Sequence, residues 1–431
     1  MRHIIDLHIH SRYSRACSPA LTFPNLDHWC RKKGITMCGT GDFTHPKWFT
    51  EMEEHLEPAG NGLYQLKKQF LSFSVSQFPV YFVPTAEVSC IYKRGGKARR
   101  VHNIIVAPDF ATVKKINTRL AAIGNIHSDG RPILGLDSEE LAKIVFDASP
   151  ACLLIPAHAW TPWFAVFGSQ SGFDSLEECF GSMTKHIHAI ETGLSSDPAM
   201  NRRLSALDRI VLVSNSDAHS LENLGREANV LDIAPGGAGP GSAGDNVYAE
   251  FMRIIHERDA KCFLYTIEFF PEEGKYHLDG HRACAVRATP EETKRWKGIC
   301  PKCKRELTVG VLHRVAVLAD RPEGGASPQA IPYKSIVPLQ EIIAEALGVG
   351  KHSKKVQEEY ERIVAHASEF SVLIDTPLSE IARMTAPDIV EGIRRVRAGQ
   401  LAIEPGYDGE YGTVRVFRAD EQPVRRQQVL L

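Results

Sequence analysis

His8-Ile9-His10 sets two imidazoles two residues apart. On an extended segment such a pair shares one face, so both rings can reach one metal region. Ser216-Asp217-Ala218-His219 repeats that spacing with a carboxylate and an imidazole, Asp42 and His45 flank a tight turn, and Glu87 can bridge two ions. A mixed nitrogen and oxygen set suits Zn, Mn or Fe better than Ca. Two or three divalent ions about 3.5–4 Å apart clamp a phosphate and generate a nucleophile near neutral pH. Each piece alone has a plainer reading, since an HxH is often surface and an SDAH is often a helix cap. Their joint presence points to metal.

The elements that must position these groups follow from hydropathy. Short apolar runs at 4–9, 35–40, 80–85, 104–107, 153–157, 189–190 and 210–214 read as strands. Stretches such as 26–33 and 138–148 read as helices between them, the second starting at Ser138 with Glu139 and Glu140 in its first turn. Strand alternating with helix predicts a parallel sheet or barrel. Most runs end in a polar residue: His8 and His10, then Asp42, Glu87, His158, Glu191, and Asp217 with His219. His102 is the exception, at the start of its run. In a (β/α) barrel the chemistry gathers at the C-terminal strand ends. Helical spacing returns at 247–258, 340–347, 354–369 and 388–397, and 404–417 reads as a Gly-rich turn with a terminal strand.

A second group lies further along. Cys300-Pro-Lys-Cys303 is a CxxC knuckle, and His281 and Cys284 form an HxxC. Together they supply four ligands for a closed tetrahedral zinc, with His277 as the alternative fourth ligand. A redox CxxC is the competing reading, but no thioredoxin-like strand and helix precede it. Lys302 and Arg305 lie within a basic run around the knuckle. Arg94, Lys97, Arg99 and Arg100 surround a Gly-Gly turn between Glu87 and His102, which suits contact with a nucleic-acid backbone. Trp160, Trp163 and Phe164 follow His158 and offer stacking surfaces for a base; rim packing is the plainer reading.

The order His8-x-His10, Asp42, Glu87, His102, His158, Asp217-x-His219 resembles the PHP (polymerase and histidinol phosphatase) family. That resemblance implies a distorted (β/α)7 α/β barrel with a multinuclear phosphoesterase site. It implies His8, His10, Asp42, His45, Glu87, His102, His158, Asp217 and His219 as ligands, with Asp217, Glu87 and His10 closest to the chemistry. The chain departs from the family pattern in Asp42-Phe-Thr-His45 and at Cys17, where many members carry acid. With the zinc element and the tail PGYDGEYG, nearly the whole chain is similar to the endonuclease Q group. This implies four parts: a PHP phosphoesterase barrel at 1–230, a loop and helix completing it at 231–275, a zinc element at 276–320, and a helical C-terminal domain with a terminal strand at 321–431. It also implies hydrolysis of DNA on the 5′ side of deaminated bases (hypoxanthine, uracil, xanthine) and abasic sites. The implied cofactors are two or three divalent metals (Zn, Mn, Fe or Mg) in the barrel and one structural zinc. The alternatives are a PHP-type phosphatase of a small monoester, or a DNA-binding protein with an inactive barrel.

Composition sets the outer limits. The chain has 431 residues, 43% hydrophobic and 24% charged, which excludes disordered and fibrous classes. A formal net charge of −1 leaves any polyanion site to local patches. The ten cysteines do not form the dense framework of a small secreted scaffold. The N-terminus, whose apolar stretch 4–10 carries two histidines and an aspartate, does not read as a signal peptide. No apolar run approaches the roughly 20 residues of a membrane span. A cytoplasmic protein without a membrane partner is expected. Gln427-Gln-Val-Leu430-Leu431 resembles the short peptide by which bacterial repair proteins dock on the replication sliding clamp, which suggests a second partner besides damaged DNA.

Overall fold

The structure is a computed structural model, which describes residues 1–71, 78–233, 246–325, 327 and 330–418. Most of the Gly-rich stretch at 234–246 and the whole clamp-like tail at 427–431 lie outside the described residues.

The chain folds as a mixed α/β protein. Strand Arg2–Asp6 lies centrally in an eight-stranded sheet, parallel to Met37–Gly39, which is parallel to Tyr81–Val83. On its other side it pairs antiparallel with Ala228–Asp232, followed by Phe263–Glu268 and Tyr333–Ser335. A four-stranded sheet holds Ile133–Leu134, Thr85–Arg94, Lys97–Val106 and Leu153–Pro156 in that order. Pro84 separates the two sheets, and its missing N–H interrupts the ladder there. Ala189–Glu191 pairs in parallel with Val211–Val213. Among the described residues the ladders thus form two larger sheets and three separate pairs.

The strands run where the apolar runs predict, but with different ends. The first stops at Asp6, so His8 and His10 follow it rather than sit on it. The Ile9–Ala218 bridge keeps this segment extended and joins it to the SDAH turn. The hairpin Thr85–Arg94/Lys97–Val106 is longer than expected, ten residues a side, and turns on Gly95 and Gly96 at φ 60° and 75°. Positive φ at both turn positions is what a two-residue hairpin of this twist needs, and glycine adopts it freely. The antiparallel pairing also explains His102: Ser89 faces it, so it reaches the same region as Glu87 from the opposite chain direction.

Helix Ser138–Ala148 buries Leu141, Ala142, Ile144, Val145 and Ala148 along one stripe. Its cap is Asp137, one residue before the expected start, which accepts from the Glu139 N–H at 2.8 Å. Full burial of each Leu, Ile or Val side chain contributes roughly 1.5–3 kcal/mol. Helices Leu339–Leu347, Lys354–Val364 and Pro387–Arg397 form the C-terminal bundle. The buried Lys33–Glu369 pair, 2.8 Å, ties this bundle to helix Phe23–Lys33. The tail forms two strands, Ala402–Glu404 and Thr413–Arg415, instead of one. Its Asp408 accepts from the Arg282 N–H and the Thr308 hydroxyl, each at 2.6 Å, and so straps the Cys-rich element. No described helix is long and apolar enough to cross a membrane.

Candidate metal centre

Strand ends deliver the imidazoles and carboxylates to one place. The donor atoms of His8, His10, Glu87 and Asp217 all lie within 4.8 Å of one another, and so do those of Glu87, His102 and His158. Glu87 belongs to both groups through different oxygens. Oε2 lies 3.5 Å from His8 Nε2 and 3.4 Å from His10 Nε2. Oε1 lies 2.6 Å from His102 Nδ1 and 3.1 Å from His158 Nε2. Asp217 Oδ1 faces His10 Nε2 at 3.1 Å.

Three of these turns are left-handed: Asp42 at φ 50°, His158 at φ 30° and Asp217 at φ 47°. Non-glycine residues hold such angles only where neighbours fix them. Here Glu191 Oε2 accepts from the His158 N–H at 2.7 Å, and Arg226 donates to the Asp217 carbonyl at 3.3 Å.

The donors fit divalent metal. His8 Nε2 is buried without a hydrogen-bond partner, while Nδ1 is engaged by Glu191. Burial disfavours a proton on His8, yet Glu191, Glu87 and Asp217 outweigh it and hold the ring well above its ordinary value. Burial likewise opposes ionisation of Glu87, but His102, Arg131 and His8 keep it well below the usual range. The centre thus pairs buried carboxylates with imidazoles, and its nitrogen and oxygen donors suit borderline transition metals.

Several predicted residues lie elsewhere. Asp42 spends Oδ1 on His10 Nδ1, 3.0 Å, and Oδ2 on the Ser11 N–H, 2.6 Å, and two serine hydroxyls. It orients His10, and its oxygens fall outside both groups. His45 faces the His127 carbonyl through Nε2 at 3.0 Å and stacks on Tyr13, outside both groups. His219 donates through Nδ1 to the Asp217 carbonyl at 2.8 Å and sits at the rim, its ring 4.6 Å from that of His10. Glu191 and Arg131 are additions. Glu191 is readable as a strand-end carboxylate, whereas nothing in the local pattern marks Arg131, which is 2.9 Å from Glu87.

The second group also converges. His281, Cys284, Cys300 and Cys303 bring their donors within 4.8 Å of one another. Ala285 and Lys304, each following a cysteine, are left-handed at φ 48° and 63°. His277 is buried outside this group, so His281 is the fourth ligand that the geometry offers.

The nucleic-acid candidates divide. Arg94 is committed to Asp137, Glu139 and two carbonyls. Arg99 packs over Phe173 and Arg100 over Phe164. Lys302 donates to the Cys284 carbonyl at 2.8 Å. Lys97 at the hairpin tip and Arg305 are exposed. Trp160 is fully buried against Phe167 with its N–H on Asn201, so no base can stack on it. Phe164 abuts His102 at 4.7 Å. Trp163 is 38% exposed and lines a cavity of about 540 Å³ with Phe269 and Tyr276. Thr161 and Arg226 also line it, and they hydrogen-bond His158 Nδ1 and the Asp217 carbonyl respectively.

Known proteins resemble this chain at several scales. Residues 338–400 match the family model of the MJ0043 C-terminal domain. The uncharacterized protein MJ0043 of Methanocaldococcus jannaschii is 31% identical over 277 residues; the match covers 64% of this chain but only 33% of that protein. YqxK of Bacillus subtilis is 29% identical over 395 residues, 89% of each chain. The crystal structure of the lesion-specific endonuclease PfuEndoQ from Pyrococcus furiosus superposes with a TM-score of 0.81 at 32% identity, covering 96% of this chain and 95% of that one. Endonuclease Q in complex with a 27-mer duplex carrying an abasic lesion at its active site gives a TM-score of 0.81 at 31% identity over 100% of both chains.

Proposed function

The chain belongs to the endonuclease Q family, and on that premise we propose that it is a metal-dependent DNA repair endonuclease. It hydrolyses the phosphodiester 5′ to deaminated bases (hypoxanthine, uracil, xanthine) and abasic sites. The observation that carries this reading is Glu87, whose two oxygens face two separate imidazole groups in one buried centre. Residues 1–230 act as the PHP-type catalytic barrel, completed by 231–275, with the zinc element at 276–320 and the C-terminal domain at 321–431.

His8, His10, Glu87 and Asp217 would hold one ion, and Glu87, His102 and His158 another. Bound divalent ions would supply Lewis acidity and a water nucleophile at neutral pH. The chain's own residues do the rest. Glu191 and Asp42 lock the rings of His8 and His10, so Nε2 of each faces the centre. Water adds to phosphorus, the P–O3′ bond breaks, and the 5′-phosphate stays on the lesion strand. The cavity beside Trp163 takes the base that leaves the stack. Unstacking costs a few kcal/mol and is cheapest at a lesion, which favours damaged over intact duplex.

The test uses duplexes with one hypoxanthine, uracil, xanthine or abasic site, an intact duplex, and a phosphate monoester, each with Mg²⁺ or Mn²⁺. Nicks 5′ to the lesion, lost in Asp217→Ala, are expected. Hydrolysis of the monoester alone, or equal cutting of intact duplex, refutes the assignment.

A further inference from the structure

Strand register carries a guanidinium into the centre. Ser89 pairs with Ile133 in a parallel ladder, and the Ser89 N–H donates to the Pro132 carbonyl at 3.0 Å. Residues two apart share a strand face. Arg131 thus falls beside Glu87, with Nη1 2.9 Å from Oε2. Gly130 permits the approach, because a Cβ there would lie 2.2 Å from Asp42 Oδ2 and 2.3 Å from Ser14 Oγ. Hydrogen bonds from the Gly130 N–H to the Tyr13 carbonyl and from the Thr44 hydroxyl to the Gly130 carbonyl, each 3.1 Å, fix the loop. The Glu87 side chain is fully buried, whereas that of Arg131 is 27% exposed, so the guanidinium stands between the carboxylate and solvent.

A fixed cation is out of place in a cation site unless it serves the anion that binds there. A guanidinium fork has five donors and matches phosphate oxygens in pairs, and contact with Glu87 engages Nη1 alone. We propose that Arg131 contacts the scissile phosphate directly and balances the charge that builds on its non-bridging oxygens as the P–O3′ bond breaks. In that step water's oxygen bonds to phosphorus and the 3′-oxygen leaves with a proton from the same water. This inference rests on the endonuclease reading above.

The experiment compares wild type, Arg131→Ala and Arg131→Lys on an abasic duplex whose phosphate 5′ to the lesion is either normal or a neutral methylphosphonate. Binding is read by anisotropy, and metal content and thermal melting are measured alongside. Neutralising that phosphate should cost wild type about tenfold more in affinity than it costs Arg131→Ala, since the metals' share of the loss is common to both. With the normal duplex, Arg131→Ala should flatten the salt slope by about 0.9, the release expected of one phosphate contact, and Arg131→Lys should restore it. Nicking by Arg131→Ala should fall about 10²–10³-fold in kcat with metal content unchanged. Equal affinity losses in wild type and Arg131→Ala, with metal lost from the variant, would mean that Arg131 is only a counter-ion to Glu87. Wild type that neither binds nor nicks lesion duplex overturns the endonuclease reading itself, and this inference with it.

Discussion

Glu191 places both carboxylate oxygens 3.1 Å from Nδ1 of His8, which leaves Nε2 as the ring nitrogen that faces the metal groups. The same carboxylate accepts from the His158 N–H and from the Asn215 amide, so it braces a donor of each group. A carboxylate behind a ligating histidine fixes its tautomer and raises its basicity. Glu191→Gln keeps the shape and removes the charge. Metal affinity should fall about 10–100-fold, read by chelator competition, while the circular dichroism stays that of wild type. Unchanged affinity would show that His8 needs no such brace.

The Cys-rich element should depend on its metal. Its apolar cluster consists of Val286, Ala288, Cys300 and Leu307, with Cys284 and Trp296 packed against it. So small a core cannot hold a fold alone, and small domains of this size usually need a metal or disulfides. Cys300→Ser or Cys303→Ser should lose one zinc per chain by metal analysis and raise hydrogen exchange across 279–308. The amides of the two larger sheets should keep their protection. Zinc stoichiometry unchanged in both variants would remove the tetrahedral site.

Residue type was legible where spacing alone decides. The HxH pair, the SDAH turn and the Gly95-Gly96 hairpin each follow from a period of two or a demand for positive φ. The helices at 138–148 and 387–397 follow from apolar periodicity. Atom-level commitments were not legible. Asp42 and His45 have ligand types at plausible places, but the fold brings neither into the two donor groups. Arg94 and Lys302 are basic residues whose charges serve their own chain. Arg131 reaches Glu87 through a cross-strand register that no local pattern reports.

The two tryptophans after His158 should separate stability from lesion handling. Trp160 is buried against Phe167 and bonded to Asn201 at 2.7 Å. Trp160→Ala should cost about 3–5 kcal/mol of folding stability by denaturant melts. Trp163 presents an open face to the cavity, with Tyr276 edge-on at 5.5 Å. Trp163→Ala should leave stability nearly unchanged and weaken binding of a deaminated-base duplex by about tenfold, the value of one base–aromatic stack. Binding of the deaminated-base duplex by Trp163→Ala equal to that of wild type would assign Trp163 to rim packing.

Stability should also fall as pH rises through the range set by Glu268. This carboxyl is fully buried behind the strand pair and accepts from the hydroxyls of Thr192, Ser214 and Thr266. Burial pushes it from an ordinary value of 4.5 up to about 8. The folded chain therefore keeps a proton that the unfolded chain releases first. Between those two values the unfolded state binds fewer protons, so stability declines with rising pH and the loss is complete above about pH 8. Each unit of difference is about 1.36 kcal/mol, so the charged carboxyl costs a few kcal/mol at the alkaline end. Glu268→Gln keeps an oxygen for the hydroxyls and cannot ionise. Its melting temperature should match wild type near pH 5, exceed it near pH 8, and vary less between them. Parallel curves for the two proteins would mean that Glu268 ionises as freely in the folded chain as in the unfolded one.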